Sequence, residues 1–327
     1  MKALVYTGTQ ESQIRQVETP VASAGESIVD IAFCGICGSD MHAWHGHDER
    51  RAPPLVLGHE AVGIVRTGPL AGQRVAINPL ITCLDCAACR AGDIHLCARR
   101  ELIGMRYPGA FAEQLRIPDR NLTVIDDGLP FETAALAEPT AVAVRTVRLA
   151  QRAGAGTDSS VVILGGGAIG LLCAAVMKAW GLAPPHIAET NALRRGMLES
   201  LGLGTTYDPR EDQPADSAID LVIDAVGMGV TRAAASRMVR PGGAIIHVGL
   251  QDSEPGLDTR RITLQEIAFI GAYCYRAEDF AEALALLTSA KVTGEGWAET
   301  RPLDEGAESF QDIHDGRAAP KIILAMC

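Results

Sequence analysis

Apolar and polar positions change rhythm twice along the chain. Up to about residue 140 the apolar residues come in short runs, "KALVY", "SIVDIAF", "AVGIVR", "RVAINP" and "FAEQLRI", separated by glycine, proline and other turn residues. Such runs read as strands of an irregular, mostly β region. From Phe131 to Ala150 the spacing turns helical, with Glu, Ala, Leu and Val recurring and arginine at the outer positions. Then strands and helices alternate. "SVVILGGG" leads into "AIGLLCAAVMKAWG", "HIAET" into "LRRGMLESLG", "IDLVIDAVG" into "TRAAASRMVR", and "GAIIHVGL" follows. Continuous apolar strands alternating with helices predict a parallel sheet covered on both faces. The last segment reads as one amphipathic helix, "RAEDFAEALALLTSAKV", and a terminal strand, "APKIILAMC". That strand needs a sheet to pair with, so the chain is expected to return to its first domain. The expected class is α/β, with residues 1–142 β-rich, 143–270 a doubly wound inserted domain, and 271–327 the return. Internal repeats and low-complexity tracts are absent from the sequence.

Composition narrows the function. With 327 residues the chain suits about two domains. Lysine and arginine number 29 against 40 acidic residues, a net charge of −11. That surface repels a phosphate backbone and disfavours anionic membranes, so neither nucleic acid nor membrane is an expected partner. "ARRE", Ala98–Glu101, reads as a solvated turn. The run Val161–Met177 is apolar but short for a membrane span, and three consecutive glycines interrupt it. "MKALVYTGTQ" lacks the apolar core of a signal peptide. Nine cysteines, four of them within fifteen residues, suggest metal ligation in a reducing, cytoplasmic compartment rather than a disulfide frame.

Those four, Cys83, Cys86, Cys89 and Cys97, follow C-x2-C-x2-C-x7-C. Short spacings let single turns present pairs of sulfurs to one tetrahedral ion, and four thiolates leave no open position, so a structural zinc is expected. An iron–sulfur cluster is the rival. His95, inside the loop, is expected to be exposed. Gly165, Gly167 and Gly170 form G-x-G-x-x-G after a strand, with Ala168 and Ile169 opening the helix behind. The first glycine allows a tight turn, the second a close approach to pyrophosphate, and the third close helix–strand packing. The helix N-terminus offers free N–H groups to phosphate. Glu189 ends the second strand, where a carboxylate accepts from the adenosine ribose hydroxyls and repels a 2′-phosphate, favouring NAD over NADP. Arg194 and Arg195 could instead pair with that phosphate. Ala225, Val226, Val248 and Gly249 follow the next two strands, where strand ends meet a cofactor.

"CGICGSDMH" at Cys34–His42, "LGHEAVG" at Leu57–Gly63, the four-cysteine segment, "AEPTAVAV" at Ala137–Val144 and "LGGGAIG" occur in that order. Together they resemble the zinc-dependent medium-chain alcohol and polyol dehydrogenases, over almost the whole chain. "RELIGMRYPGAFAE" and "AEP" are more similar to the sugar-alcohol branch (sorbitol, galactitol-phosphate and threonine dehydrogenase relatives) than to the ethanol branch. The resemblance implies a Rossmann domain inserted in a GroES-like catalytic domain, and two zinc ions with different jobs. It implies Cys37, His59 and Glu138 as ligands of the catalytic zinc, with Glu60 a neighbour able to approach or bind it. Cys34 matches no ligand position and is expected to be a small buried residue.

One thiolate, one imidazole and one carboxylate leave a fourth position for water or substrate. Zinc there lowers the pKa of an alcohol, and the alkoxide gives up hydride. Asp40 is expected to orient His59. Ser39 and His42 match a proton relay, although each also reads as an ordinary turn or loop residue. Trp44, His45 and His47 lie in a loop that borders the substrate cleft in relatives, where an exposed loop is the alternative. Relatives are homodimers or homotetramers. The chain departs from the family at "RTGPLAGQRV", which is shortened and carries Gln73 where aspartate is usual. The expected activity is reversible oxidation of a secondary alcohol, polyol-like, to a ketone with NAD. A zinc-free enone or quinone reductase of the same fold and a non-catalytic NAD-binding protein are the alternatives.

Overall fold

The structure is a computed structural model and describes residues 1–326. It divides into two compact units, Met1–Glu138 with Arg276–Cys327, and Pro139–Tyr275. The first boundary falls four residues before the expected 142/143, and the second five after 270/271. The helix Ala137–Arg152 runs unbroken through position 142, and the last strand of the second unit ends only at Gly271.

The first unit is built on a seven-stranded sheet. Its order is Leu122–Val124, Arg74–Ile77, Glu60–Thr67, Glu26–Gly35, Lys321–Ala325 and Ala298–Pro302, with Gln114–Pro118 also paired to Glu26–Gly35. The terminal strand therefore returns to the first domain, antiparallel to Glu26–Gly35. The return is driven by burial: Ile322, Ile323 and Leu324 are almost wholly covered, and Leu324 joins a core with Leu4, Val29, Trp44, Phe111 and Phe310. Each such side chain contributes about 1.5–3 kcal/mol by leaving water. Gly58 shows how tightly this core meets the site. Its φ is +92°, and a Cβ there would lie 2.6 Å from the Phe111 ring. Any side chain would be strained and would push the ring aside.

The second unit is a six-stranded parallel sheet. Its order is Thr205–Tyr207, His186–Ala188, Val161–Leu164, Ile219–Asp224, Val239–His247 and Ala268–Gly271. In sequence order that is 3-2-1-4-5-6, the doubly wound dinucleotide-binding arrangement. The four inner strands are the apolar runs expected from the sequence. The two outer strands were not among them, because each is short and only part-covered, so neither carries a continuous apolar run. No helix among the described residues is long and apolar enough to cross a membrane.

Candidate active site

Cys37 is the N-cap of the helix Gly38–Trp44. Its Sγ accepts from Ser39 N at 3.5 Å, and Asp40 Oδ2 reaches back to accept from Cys37 N at 3.0 Å. The short sequence Cys-Gly-Ser-Asp thus fixes its own thiol by a reciprocal cap. Asp40 is wholly buried, and its other oxygen lies 3.4 Å from His59 Nδ1 and 3.4 Å from Gly58 N. One carboxylate therefore orients both the thiol's backbone and the imidazole. Burial alone would raise the Asp40 pKa, but His59 and Arg51 outweigh it and hold the carboxyl below its ordinary value. Burial would likewise depress His59, but Asp40 and Cys37 carry it well above the usual imidazole range.

The donor atoms of Cys37, His59 and Glu60 all lie within 4.8 Å of one another. Sulfur, nitrogen and oxygen donors so placed fit a divalent transition metal. Glu138, expected as the third ligand, is not in that set. It is buried in the first turn of its helix, and its charge is felt by Lys321. Ser39 Oγ lies 3.5 Å from His59 Nε2 and accepts from Arg51 at 3.3 Å. Among the described residues no hydrogen bond joins Ser39 to His42. Burial, then the charges of His47 and Arg51, hold His42 below the usual imidazole pKa. Cys34 is fully buried, as expected, and burial pushes its thiol pKa well up. Trp44 packs into the core against Phe310, which removes it from any substrate surface. His45 is half-buried, 3.0 Å from His314, and His47 is exposed.

Arg51 and Lys321 were missed in the sequence. Arg51 is buried and donates to Ser39 O and, at 3.0 Å, to Gly104 O. Lys321 pairs with Glu60. A lysine leading the apolar run "KIIL" was a readable signal, because burying an ammonium demands a partner.

Cys83, Cys86, Cys89 and Cys97 form a second set with all four sulfurs within 4.8 Å. The sulfurs of Cys83 and Cys89 lie 3.9 Å apart, and those of Cys83 and Cys97 3.4 Å. Tetrahedral zinc with Zn–S near 2.3 Å needs sulfurs about 3.8 Å apart, so the cluster fits a closed zinc site. His95 is 2% exposed rather than exposed as expected. The single 3-10 turn Ile94–Leu96 rotates the imidazole inward and leaves Leu96 outside, at 52%.

In the second unit the three glycines have separate reasons. Gly165 has φ +96°, a Cβ on Gly170 would lie 1.9 Å from Gly165 O, and a Cβ on Gly167 would meet nothing within 4 Å. The last leaves open space beside the turn, where Ala168 and Ile169 begin the helix. Glu189 is buried, accepting from Gly166 N at 3.0 Å and Asn191 N at 2.8 Å. Thr190 Oγ1 also donates to Oε1 at 3.4 Å, so it is Oε2 that keeps a lone pair for a hydroxyl donor. Arg195 is committed to Glu189 O and Asp208. Arg194 Nε is buried with no hydrogen-bond partner among the described residues. Asp224, also missed, accepts from Val226 N and Gly227 N, while its carbonyl accepts from Val248 N and Gly249 N. It pins both loops, Ala225–Val226 and Val248–Gly249, at the strand ends.

Fold and site define a metal-assisted, nicotinamide-dependent alcohol dehydrogenase. Residues 23–127 match the alcohol dehydrogenase GroES-like domain, and 168–289 the zinc-binding dehydrogenase family. The chain is 32% identical to 2-dehydro-3-deoxy-L-galactonate 5-dehydrogenase of Pseudoalteromonas atlantica, covering 100% of this chain and 99% of that one. It is 31% identical to L-galactonate-5-dehydrogenase of Escherichia coli, covering 99% and 98%. Among solved structures it is similar to the alcohol dehydrogenase TADH of Thermus sp. ATN1 (TM-score 0.92, 27% identity, 100% of both chains). Galactitol-1-phosphate dehydrogenase of Escherichia coli superposes with TM-score 0.90 at 25% identity, again over 100% of both chains. The chain belongs to the zinc-dependent medium-chain dehydrogenases, in their polyol branch. It is an oxidoreductase that moves hydride between a secondary alcohol and a nicotinamide cofactor.

Proposed function

We propose that this enzyme oxidises one secondary hydroxyl of a polyol or sugar acid to a ketone with NAD, using a catalytic zinc held by Cys37, His59 and a carboxylate. The observation that carries this is the mixed donor set of Cys37, His59 and Glu60 within 4.8 Å. Either Glu138 or Glu60 can be that carboxylate, and Glu138 is the one that the family resemblance implies. A zinc there would act as a Lewis acid on the substrate hydroxyl. The chain's own residues do the rest. Asp40 faces His59 Nδ1, which leaves Nε2 as the free donor. Arg51 holds the Ser39 hydroxyl beside that nitrogen, where it can take the substrate proton. His42, whose pKa burial lowers, makes no hydrogen bond to Ser39, so a relay through it would need a bridging water. Glu189 supports NAD over NADP, since a buried carboxylate disfavours a 2′-phosphate. The sugar-acid class rests on the names of the two galactonate relatives.

A second zinc in the four-cysteine lobe would be structural. Eight described cysteines are free, which supports a cytoplasmic setting. The edge strand Ala268–Gly271 carries Phe269 partly exposed, and a free parallel edge supports pairing into a homodimer or homotetramer. The test is a metal count joined to a screen of polyols and aldonates with NAD and NADP, read as reduced-nicotinamide absorbance. The expected result is two zincs per chain and turnover with NAD on a polyhydroxy secondary alcohol. One zinc per chain with NADH binding but no turnover would establish the non-catalytic alternative. Reduction of enones or quinones by the metal-depleted protein would establish the zinc-free one.

A further inference from the structure

Three neighbouring strands meet behind the metal donors. Glu26–Gly35 lies between Glu60–Thr67 and Lys321–Ala325, and Gly35 stands opposite Glu60 on one side and Ile323 on the other. Lys321 opens the last strand and is 3% exposed. Its ammonium has three protons and three acceptors: Ile36 O at 2.8 Å, Glu60 Oε1 at 2.9 Å and Glu60 Oε2 at 2.7 Å. Two of those acceptors belong to one carboxylate, so the buried amine is held as an ammonium. The Glu60 carboxylate reaches this position by lying across Gly35, where a Cβ would sit 2.1 Å from Oε2. Both carboxylate oxygens are thus taken by a cation on one side, while the same carboxylate stands within 4.8 Å of the Cys37 and His59 donors. Charge counting gives a reason. Cys37 and Glu60 already balance a doubly charged ion, and the Glu138 carboxylate proposed above would add a third negative charge and blunt its Lewis acidity. Lys321 supplies the missing positive charge.

We infer that Lys321, with Gly35 as the slot, is a positioning residue that withholds Glu60 from the metal and so keeps one coordination position open for substrate. This rests on the metal site proposed above, with Glu138 as its coordinating carboxylate and Glu60 held beside it. Without the ammonium, Glu60 becomes a further protein donor and the open site closes.

The test uses enzyme with cobalt in the catalytic site and zinc in the lobe, following the visible cobalt bands and the rate of metal loss to a chelator. In Lys321→Met the bands shift, metal loss slows by about tenfold, and kcat falls. Lys321→Arg restores all three toward wild type. Lys321→Met/Glu60→Gln, which leaves no buried unpaired charge, loses metal as fast as wild type or faster. Gly35→Ala displaces the carboxylate from its slot and slows metal loss in the same sense. A merely structural lysine gives the opposite sign, because a damaged site loses metal faster. Faster or unchanged loss in Lys321→Met overturns the inference. Should that variant not fold, faster or unchanged loss in Gly35→Ala overturns it equally. The two readings fail differently. Wild type that takes up one metal per chain sinks the ligand assignment, whereas two metals with no slowing in either variant sinks only the role of Lys321.

Discussion

The first unit carries two clusters of donor atoms that could hold a metal, built on opposite plans. In the lobe, four identical sulfur donors fall within fifteen residues, and short turns between Ile81 and Glu101 bring them together. In the active site, Cys37 comes from a helix cap, His59 from the residue before a strand, and Glu60 from that strand itself. Buried Asp40 and Lys321, neither of them in either donor set, hold those three in place. A tetrahedral ion in the lobe would have every position filled by thiols, so it would brace the chain. The active site mixes donors and ties one of them back, which is what leaves room for chemistry. The difference teaches that a closed site is a local property, whereas an open one must be restrained from a distance.

Breaking each site separately gives the largest effects. His59→Ala removes one donor of the open set. It should cost one zinc per chain and about 10³-fold or more in kcat, with the melting temperature little changed. Metal analysis beside steady-state rates checks this. Cys97→Ser opens the closed set. The second zinc should be lost and the melting temperature should fall, by about 2–4 °C for each kcal/mol of lost stability, with activity falling only as folded protein is lost. If Cys97→Ser instead abolished turnover at full stability, the division of labour between the clusters would be wrong.

The smallest effect sharpens the contrast with the second unit, where no metal-binding group occurs among the described residues. Asp208 there has its pKa lowered, chiefly by hydrogen bonds from Arg210 and also by the Arg195 charge. A folded pKa below the unfolded value of about 3.9 means that the stabilisation is complete above that pH. It is lost as pH falls through the lower folded value. Asp208→Asn should flatten the acid limb of the stability curve below about pH 4 and leave both zinc contents unchanged, as acid melts and metal counts would show.

Local features were legible in the sequence and contacts across the chain were not. The glycine loop, the buried central strands and the cysteine spacing each declare themselves within about twenty residues, because backbone geometry and continuous apolar runs are local. The outer strands Thr205–Tyr207 and Ala268–Gly271 were missed because a half-covered edge carries no continuous apolar run. His95 was misplaced because the inward rotation comes from one 3-10 turn that spacing does not encode. Whether Glu60 or Glu138 completes the donor set was left open, and Lys321 explains why. The residue that bears on the choice stands 261 positions from Glu60, joined to it only by strand pairing.

That separation has a consequence for biogenesis. The four thiols leave the ribosome almost together and can capture their ion while synthesis continues. The lysine emerges only after the whole dinucleotide-binding domain has been made, so until then the nascent pocket holds Glu60 with no ammonium to bind it. Metal that arrives early would find an unrestrained carboxylate, and the competent centre matures last.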